Sequence, residues 1–210
     1  MLAAEVLSRG ASLSRRAACA LREHWRATEC SAILLRMDKT LYLLRHAKSS
    51  WEDPTLADHD RPLASRGRRA SKAIAEYLRR QRSTPRLVLC SSSERTRETL
   101  KRISAGLRGG VEVRIEERLY TASVRDLLQR LHEVDARVAS VMLIGHYPAL
   151  QELALSLART GVDLRRLRDK FPTAGLATLA FRGAWDELAP GAAELIAFVT
   201  PRELEASRAS

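Results

Sequence analysis

From Lys39 onward, short apolar runs alternate with segments of helical periodicity, and this alternation limits the possible folds more than any other feature. Residues 41–44, 87–90 and 138–144 are apolar runs of strand length, the pattern of buried strands. Residues 65–80 place Ala70, Ala73, Ile74, Tyr77 and Leu78 at helical spacing. Residues 94–107 predict a second helix, stopped by Gly109 and Gly110. Residues 111–115 alternate as a strand, with Val111, Val113 and Ile115 on one face. A helix follows over 124–134, and another over 148–159 begins with Pro148, a residue tolerated in a first turn. Strands are expected at 175–181 and 194–199, a polar loop with two prolines at 49–64, and a frayed tail from Pro201. Strands that alternate with helices in this way predict an α/β fold: a three-layer α/β/α sandwich with a mostly parallel central sheet.

The chain has 210 residues, the size of one domain with a sizeable core. The expected layout is an N-terminal extension over 1–36, a domain over 37–200 and a flexible tail over 201–210. The extension is rich in Ala, Arg and Ser, with six Arg against three Glu. It lacks the apolar centre of a secretory signal, and three readings stay open: a start truly at Met37, a mobile arm, or an organelle-targeting segment. No apolar run approaches the roughly 20 residues of a membrane helix. Three cysteines, Cys19, Cys30 and Cys90, have no metal-type spacing and point to a reducing, cytoplasmic setting rather than a disulfide framework. The formal net charge of +11 raises the question of a nucleic-acid partner. Aromatic residues make up only 5% and do not interleave with the basic runs, so neither nucleic acid nor membrane is expected as a partner. A positive field also attracts anionic substrates.

In a parallel α/β sheet, ligands bind beyond the carboxyl ends of the strands. Three strand ends carry polar clusters: Arg45-His46-Ala47-Lys48-Ser49, Ser91-Ser92-Ser93-Glu94-Arg95, and Gly145-His146-Tyr147-Pro148. If these strands are parallel, two histidines, two arginines and several hydroxyls converge on one point. Guanidinium groups match phosphoryl oxygens in paired geometry, and the helix opening near Arg95 adds backbone donors. Histidine serves as nucleophile or proton carrier near neutral pH. Taken singly, each of these residues is more often a surface ion pair or a satisfied structural imidazole; the joint pattern is what points to chemistry. His24, His59 and His132 are assigned no role. There is no His-Glu-x-x-His, no cysteine pair and no carboxylate cluster beside His46 or His146, so no metal is expected. No phosphate-cradling Gly-rich loop occurs, no cofactor is implied, and ATP hydrolysis is not expected.

On these residues the chain resembles the histidine phosphatase superfamily, also called phosphoglycerate mutase-like, and most of all its small SixA-type phosphohistidine phosphatases. The likeness lies in LLRHAKSSW, in SSSERTRETL with Ser91, Arg95 and Thr99, in GHYPAL, and in DRPLASRG and FPTAGLATLAF. It spans about residues 39–200. The resemblance implies that His46 is the nucleophile and carries a phosphohistidine intermediate. Arg45, Arg95 and His146 would bind the phosphoryl oxygens, with Ser49 a further phosphate contact. Relatives that use a general acid draw on a pattern like Glu-Arg-x-Tyr; here Glu117, Arg118 and Tyr120 match it, and a solvated strand-end carboxylate is the equal alternative for Glu117. Tyr147 stands where Asn is usual, and Ala149 where Gly is common. The short stretch from Glu117 to Val138 leaves no room for the large cap of the mutases, which favours a protein-borne phosphohistidine or a broad range of phosphoesters. A small-molecule phosphomonoesterase or mutase is the alternative, and a non-catalytic basic binding module a distant one.

Overall fold

The computed structural model describes residues 39–81, 84–161 and 163–207. The extension over 1–36, with its three readings, lies outside the described residues, as do 208–210 of the expected tail.

A seven-stranded sheet forms the middle layer, in the order β3-β2-β4-β1-β6-β7-β5. Its strands are β1 (Lys39–Arg45), β2 (Leu87–Ser91), β3 (Glu112–Glu116), β4 (Ser140–Gly145), β5 (Ala158–Gly161), β6 (Leu176–Phe181) and β7 (Ala193–Val199). Only the pairings of β6, with β1 and β7, are antiparallel; the other four are parallel. The expected three-layer sandwich is therefore present, as a mixed sheet with a parallel majority.

Strand alternation builds two cores from one sheet. Leu41 and Leu43 of β1, Leu87 and Leu89 of β2, and Val141 and Leu143 of β4 face one layer. It is closed by helices α3 (Val124–His132) and α4 (Ala149–Leu157) through Leu127, Leu131, Leu150, Leu153 and Leu157. Tyr42, Leu44, Val88, Cys90, Met142 and Ile144 face the other layer. That layer is closed by α1 (Ser65–Gln81) and α2 (Glu94–Ile103), which contribute Ala70, Ala73, Ile74, Leu78, Leu100 and Ile103. Fully burying one Leu or Ile side chain is worth about 1.5–3 kcal/mol, so these two apolar layers dominate the fold.

Three regions depart from the sequence reading. The helix over 148–159 ends at Leu157, and 158–161 become β5, followed by a short helix α5 (Leu164–Asp169). The pairing of β5 with β7 overrides the helical pattern of 158–159. The expected frayed tail contains a helix, α6 (Pro201–Ala206), with Leu204 buried in the second core. Its start is fixed by Thr200 and Glu203, which satisfy each other's backbone donors in a capping box, with Pro201 in the first turn. Finally, β3 does alternate, but it is an edge strand, and Val113 and Ile115 are each 48% exposed.

Candidate active site

Strands β2, β4 and β1 run parallel as neighbours, so their carboxyl ends meet at one edge. Arg45 is in register with Gly145, and the His46 amide donates to the Gly145 carbonyl at 3.0 Å. The three polar clusters of the sequence therefore converge.

His46 is buried, and its Nδ1 lies 2.8 Å from the Ala47 carbonyl oxygen. Only an Nδ1–H can make that bond, which leaves Nε2 with its lone pair free. Burial, supported by repulsion from His146, Arg95 and Arg45, pushes the His46 pKa down to about 3. The next residue is anchored as well. The Ala47 amide donates to Thr99 Oγ1 at 3.0 Å, and Thr99 Oγ1 donates to the Arg95 carbonyl at 2.6 Å. Gly67 packs so closely on Lys48 that an added Cβ would collide with the Lys48 carbonyl. The backbone that presents the imidazole is held on both sides.

The His146 ring centroid is 5.2 Å from that of His46. His146 Nε2 pairs with Ser91 Oγ at 2.8 Å, which ties the end of β4 to the end of β2. Burial first, and Arg95 second, lower the His146 pKa to about 4. Two neutral imidazoles thus stand side by side among arginines. Arg45 donates to the Phe171 carbonyl at 2.7 Å and packs on the Tyr147 ring, 4.9 Å from its centroid. Its buried Nε has no hydrogen-bond partner among the described residues. A buried donor without an acceptor is costly, and a bound oxyanion would satisfy it.

Arg95, on the first turn of α2, is buried and held by a residue to which the sequence reading gave no role. Asp58 Oδ2 accepts from Arg95 Nη2 at 2.9 Å and from the Tyr120 hydroxyl at 2.8 Å, and Oδ1 accepts from Arg61 at 3.2 Å. The Tyr120 hydrogen bond is the main reason the Asp58 carboxyl lies below the usual range, with Arg95 and Arg61 adding to it. Arg61 is buried, donates twice to the Ser50 carbonyl and stacks on Trp51, so it fastens the 49–64 loop. The aromatic rings continue outward, Tyr120 lying 5.4 Å from His146 and His59 4.9 Å from Tyr120. The signal for these residues was the DHDRPL stretch, whose closely spaced acids and arginine in a Pro-containing loop suit self-pairing rather than solvent.

Ser49 bridges to Leu63 through its backbone, three residues after His46. Glu117 is not joined to the cluster. It starts a short 3₁₀ turn that ends next to Tyr120, and its exposed carboxylate makes no hydrogen bond or ion pair among the described residues. Its neighbour Glu116 is taken up by Arg130 and Arg118. Residues 117–139 hold only this turn and α3 before β4 begins, so no large cap is inserted there among the described residues. Among the described residues, no group of three or more His, Cys, Asp or Glu is placed to hold a metal ion, and no helix is long and apolar enough to cross a membrane.

A family model described as the histidine phosphatase superfamily, branch 1, matches residues 41–153, the stretch that holds Arg45, His46, Arg95 and His146. An uncharacterized protein of Mycobacterium tuberculosis is 37% identical over 163 residues, covering 76% of this chain and all of that protein. Among solved structures, a protein from Nakamurella multipartitia assigned as phosphohistidine phosphatase SixA is 32% identical. It has a TM-score of 0.67 over 78% of this chain and 96% of its own. Its counterpart from Agrobacterium tumefaciens, with the same assignment, is 30% identical with a TM-score of 0.66, over 78% and 98% of the two chains. Sequence and structure agree that the chain belongs to the histidine phosphatase superfamily.

Proposed function

We propose that this phosphatase removes the phosphoryl group from phosphohistidine on a protein, with His46 as the nucleophile. The observation that carries the reading is the hydrogen bond from His46 Nδ1–H to the Ala47 carbonyl, in an imidazole kept neutral by burial among arginines. In the first step, the Nε2 lone pair attacks phosphorus, and the bond between phosphorus and the substrate nitrogen breaks. The departing imidazole keeps the electron pair and takes up a proton from solvent. In the second step, water attacks the His46 phosphoramidate and releases inorganic phosphate and neutral His46. Arg45 through its unpartnered Nε, Arg95 and His146 hold the phosphoryl oxygens, with Ser49 a further contact at the same loop. Catalysis of this kind rests mainly on placement and charge. An imidazole leaves readily and needs little acid assistance, whereas an alkoxide needs a proton donor. Glu117, whose carboxylate is exposed, is the candidate donor for ester substrates. The uncapped site and the assignment of two related structures as SixA support a protein substrate.

The test is to mix wild type and His46→Ala with a phosphoramidate-phosphorylated histidine-phosphotransfer domain, with an aryl phosphate and with a phosphoglycerate. Wild type is expected to clear the phosphodomain and to form an acid-labile phosphoryl adduct at His46, and His46→Ala to lose at least about a thousandfold in turnover. Equal turnover by the two proteins would refute His46 as nucleophile. A wild type active only on the phosphoglycerate would point to the small-molecule reading.

A further inference from the structure

The site accounts for the three strand ends but not for the outer faces of α1 and α2. Between these helices runs a groove of about 1350 Å³. Six cationic side chains line it: Arg68, Arg69 and Lys72 from α1, and Arg97, Lys101 and Arg102 from α2. Of these, only Arg102 is ion-paired with a carboxylate among the described residues, to Glu98 at 3.2 Å. Arg68 is spent on the Leu63 carbonyl and the Ser65 hydroxyl, neither of which carries charge. Arg69, Lys72, Arg97 and Lys101 are exposed. Apolar surface is supplied by Pro62, Leu100 and Ile115, the last being one of the exposed residues of the edge strand β3.

The groove and the site share parts. Glu94 lines the groove, and the next residue, Arg95, is in the site. Pro62 lines the groove, and the residue before it, Arg61, holds Asp58. Glu98 accepts from the Leu63 amide at 2.5 Å, pinning the site loop to α2. From Glu94 to Lys101 the helix rises by about 10 Å at 1.5 Å per residue, so the groove leads away from the phosphoryl pocket for roughly two turns.

We propose that this groove docks an acidic face of the protein that carries the phosphoryl group. The proposal rests on the phosphohistidine-protein reading above. Charge complementarity defines the occupant: cations without carboxylate partners call for carboxylates. Two observations favour a protein over a nucleic acid. No aromatic side chain lines the groove to stack on bases. Glu94 and Glu98 interrupt the positive wall, which disfavours a continuous polyanion and selects a partner whose acids are spaced among apolar residues.

The test combines Arg69→Glu, Lys72→Glu and Lys101→Glu, three exposed residues outside the site, in one variant. It is compared with wild type on an aryl phosphate and on the phosphoramidate-phosphorylated histidine-phosphotransfer domain. Turnover of the aryl phosphate is expected to stay within twofold, while KM for the phosphodomain rises at least tenfold and its dependence on salt flattens. Should the triple variant fold poorly, the single Lys101→Glu is expected to raise the phosphodomain KM two- to threefold with aryl phosphate turnover intact. An unchanged phosphodomain KM overturns the proposal. So does a wild type that hydrolyses the aryl phosphate but leaves the phosphodomain untouched, a result that retains His46 chemistry and removes only the protein substrate. Binding of a 20-nucleotide single-stranded RNA by wild type and not by the triple variant also overturns it, in favour of nucleic acid. A wild type inactive on both substrates is instead a failure of the nucleophile reading.

Discussion

Two buried arginines, Arg130 and Arg95, show how one side chain serves opposite ends. Arg130 on α3 is 3% exposed, and its guanidinium meets Glu116 through three hydrogen bonds of 2.7 to 3.0 Å. Arg118 closes the same knot by pairing with Glu116 and with Glu133. Every charge there is answered by another on a regular element or the turn beside it. Arg95 is 7% exposed, yet its carboxylate partner, Asp58, comes from a loop and is more than half exposed. The first arrangement is saturated and structural. The second holds its cation with a carboxylate that solvent already reaches.

The comparison can be broken at several points. Arg95→Ala is expected to lower kcat/KM on an aryl phosphate by about 10²–10³-fold, the usual cost of losing one donor to a transition-state oxyanion. Thermal melting should move little, because the released Asp58 is solvated. Arg130→Met should do the reverse. Its predicted loss of about 3 kcal/mol is the low end for breaking a buried pair, since Arg118 still faces Glu116. Urea unfolding would measure it, and kcat/KM at a temperature where the variant is folded should stay within a few-fold of wild type.

The pH response separates the two regions further. His46 and His146 have folded pKa values of about 3 and about 4, below their ordinary value. The unfolded chain therefore takes up protons that the folded chain refuses. Stability is full above pH 6.5 and falls as pH drops towards 4, by up to about 1.4 kcal/mol per pH unit for each imidazole. Urea midpoints at pH 7, 6 and 5 would show this, and His46→Ala should flatten the slope. The smallest effect is expected from Asp58→Asn. Relieving its charge should tighten inhibition by inorganic phosphate about fivefold, equivalent to about 1 kcal/mol for a partly exposed pair. A weaker phosphate inhibition would mean that Asp58 serves mainly to aim Arg95.

Much of this contrast was legible in the chain, and the illegible parts share a cause. Residues 41–44, 87–90 and 138–144 read as buried strands because their apolar runs have no helical alternative, and once they are parallel the meeting of His46, Arg95 and His146 follows. Asp58 and Arg61 escaped because a loop residue's partner is set by how the loop folds back, and no periodicity records that. For β5 the deciding contact is with β7, more than thirty residues later, whereas local spacing favours a longer helix. The helix α6 was a different kind of miss: Thr200, Pro201 and Glu203 spell its start in sequence, but the polarity of the segment outweighed that signal. Glu117 matches a family pattern in sequence, and yet its side chain faces solvent while the adjacent Glu116 is consumed by arginines.

The place of β1 between β4 and β6, with its residues feeding both cores, has a consequence for motion. The His46 amide is bonded to the last residue of β4, so exposing it to exchange with solvent requires the centre of the sheet to separate. Such an opening costs nearly the whole free energy of unfolding. The stretch over 51–60, mostly exposed and tied to the body of the molecule through Asp58, can open at far lower cost than the loop's end at Leu63, which is buried and held by Glu98. His46 therefore moves with the slowest breathing of the molecule, and Asp58, which holds Arg95, moves with a much easier local opening.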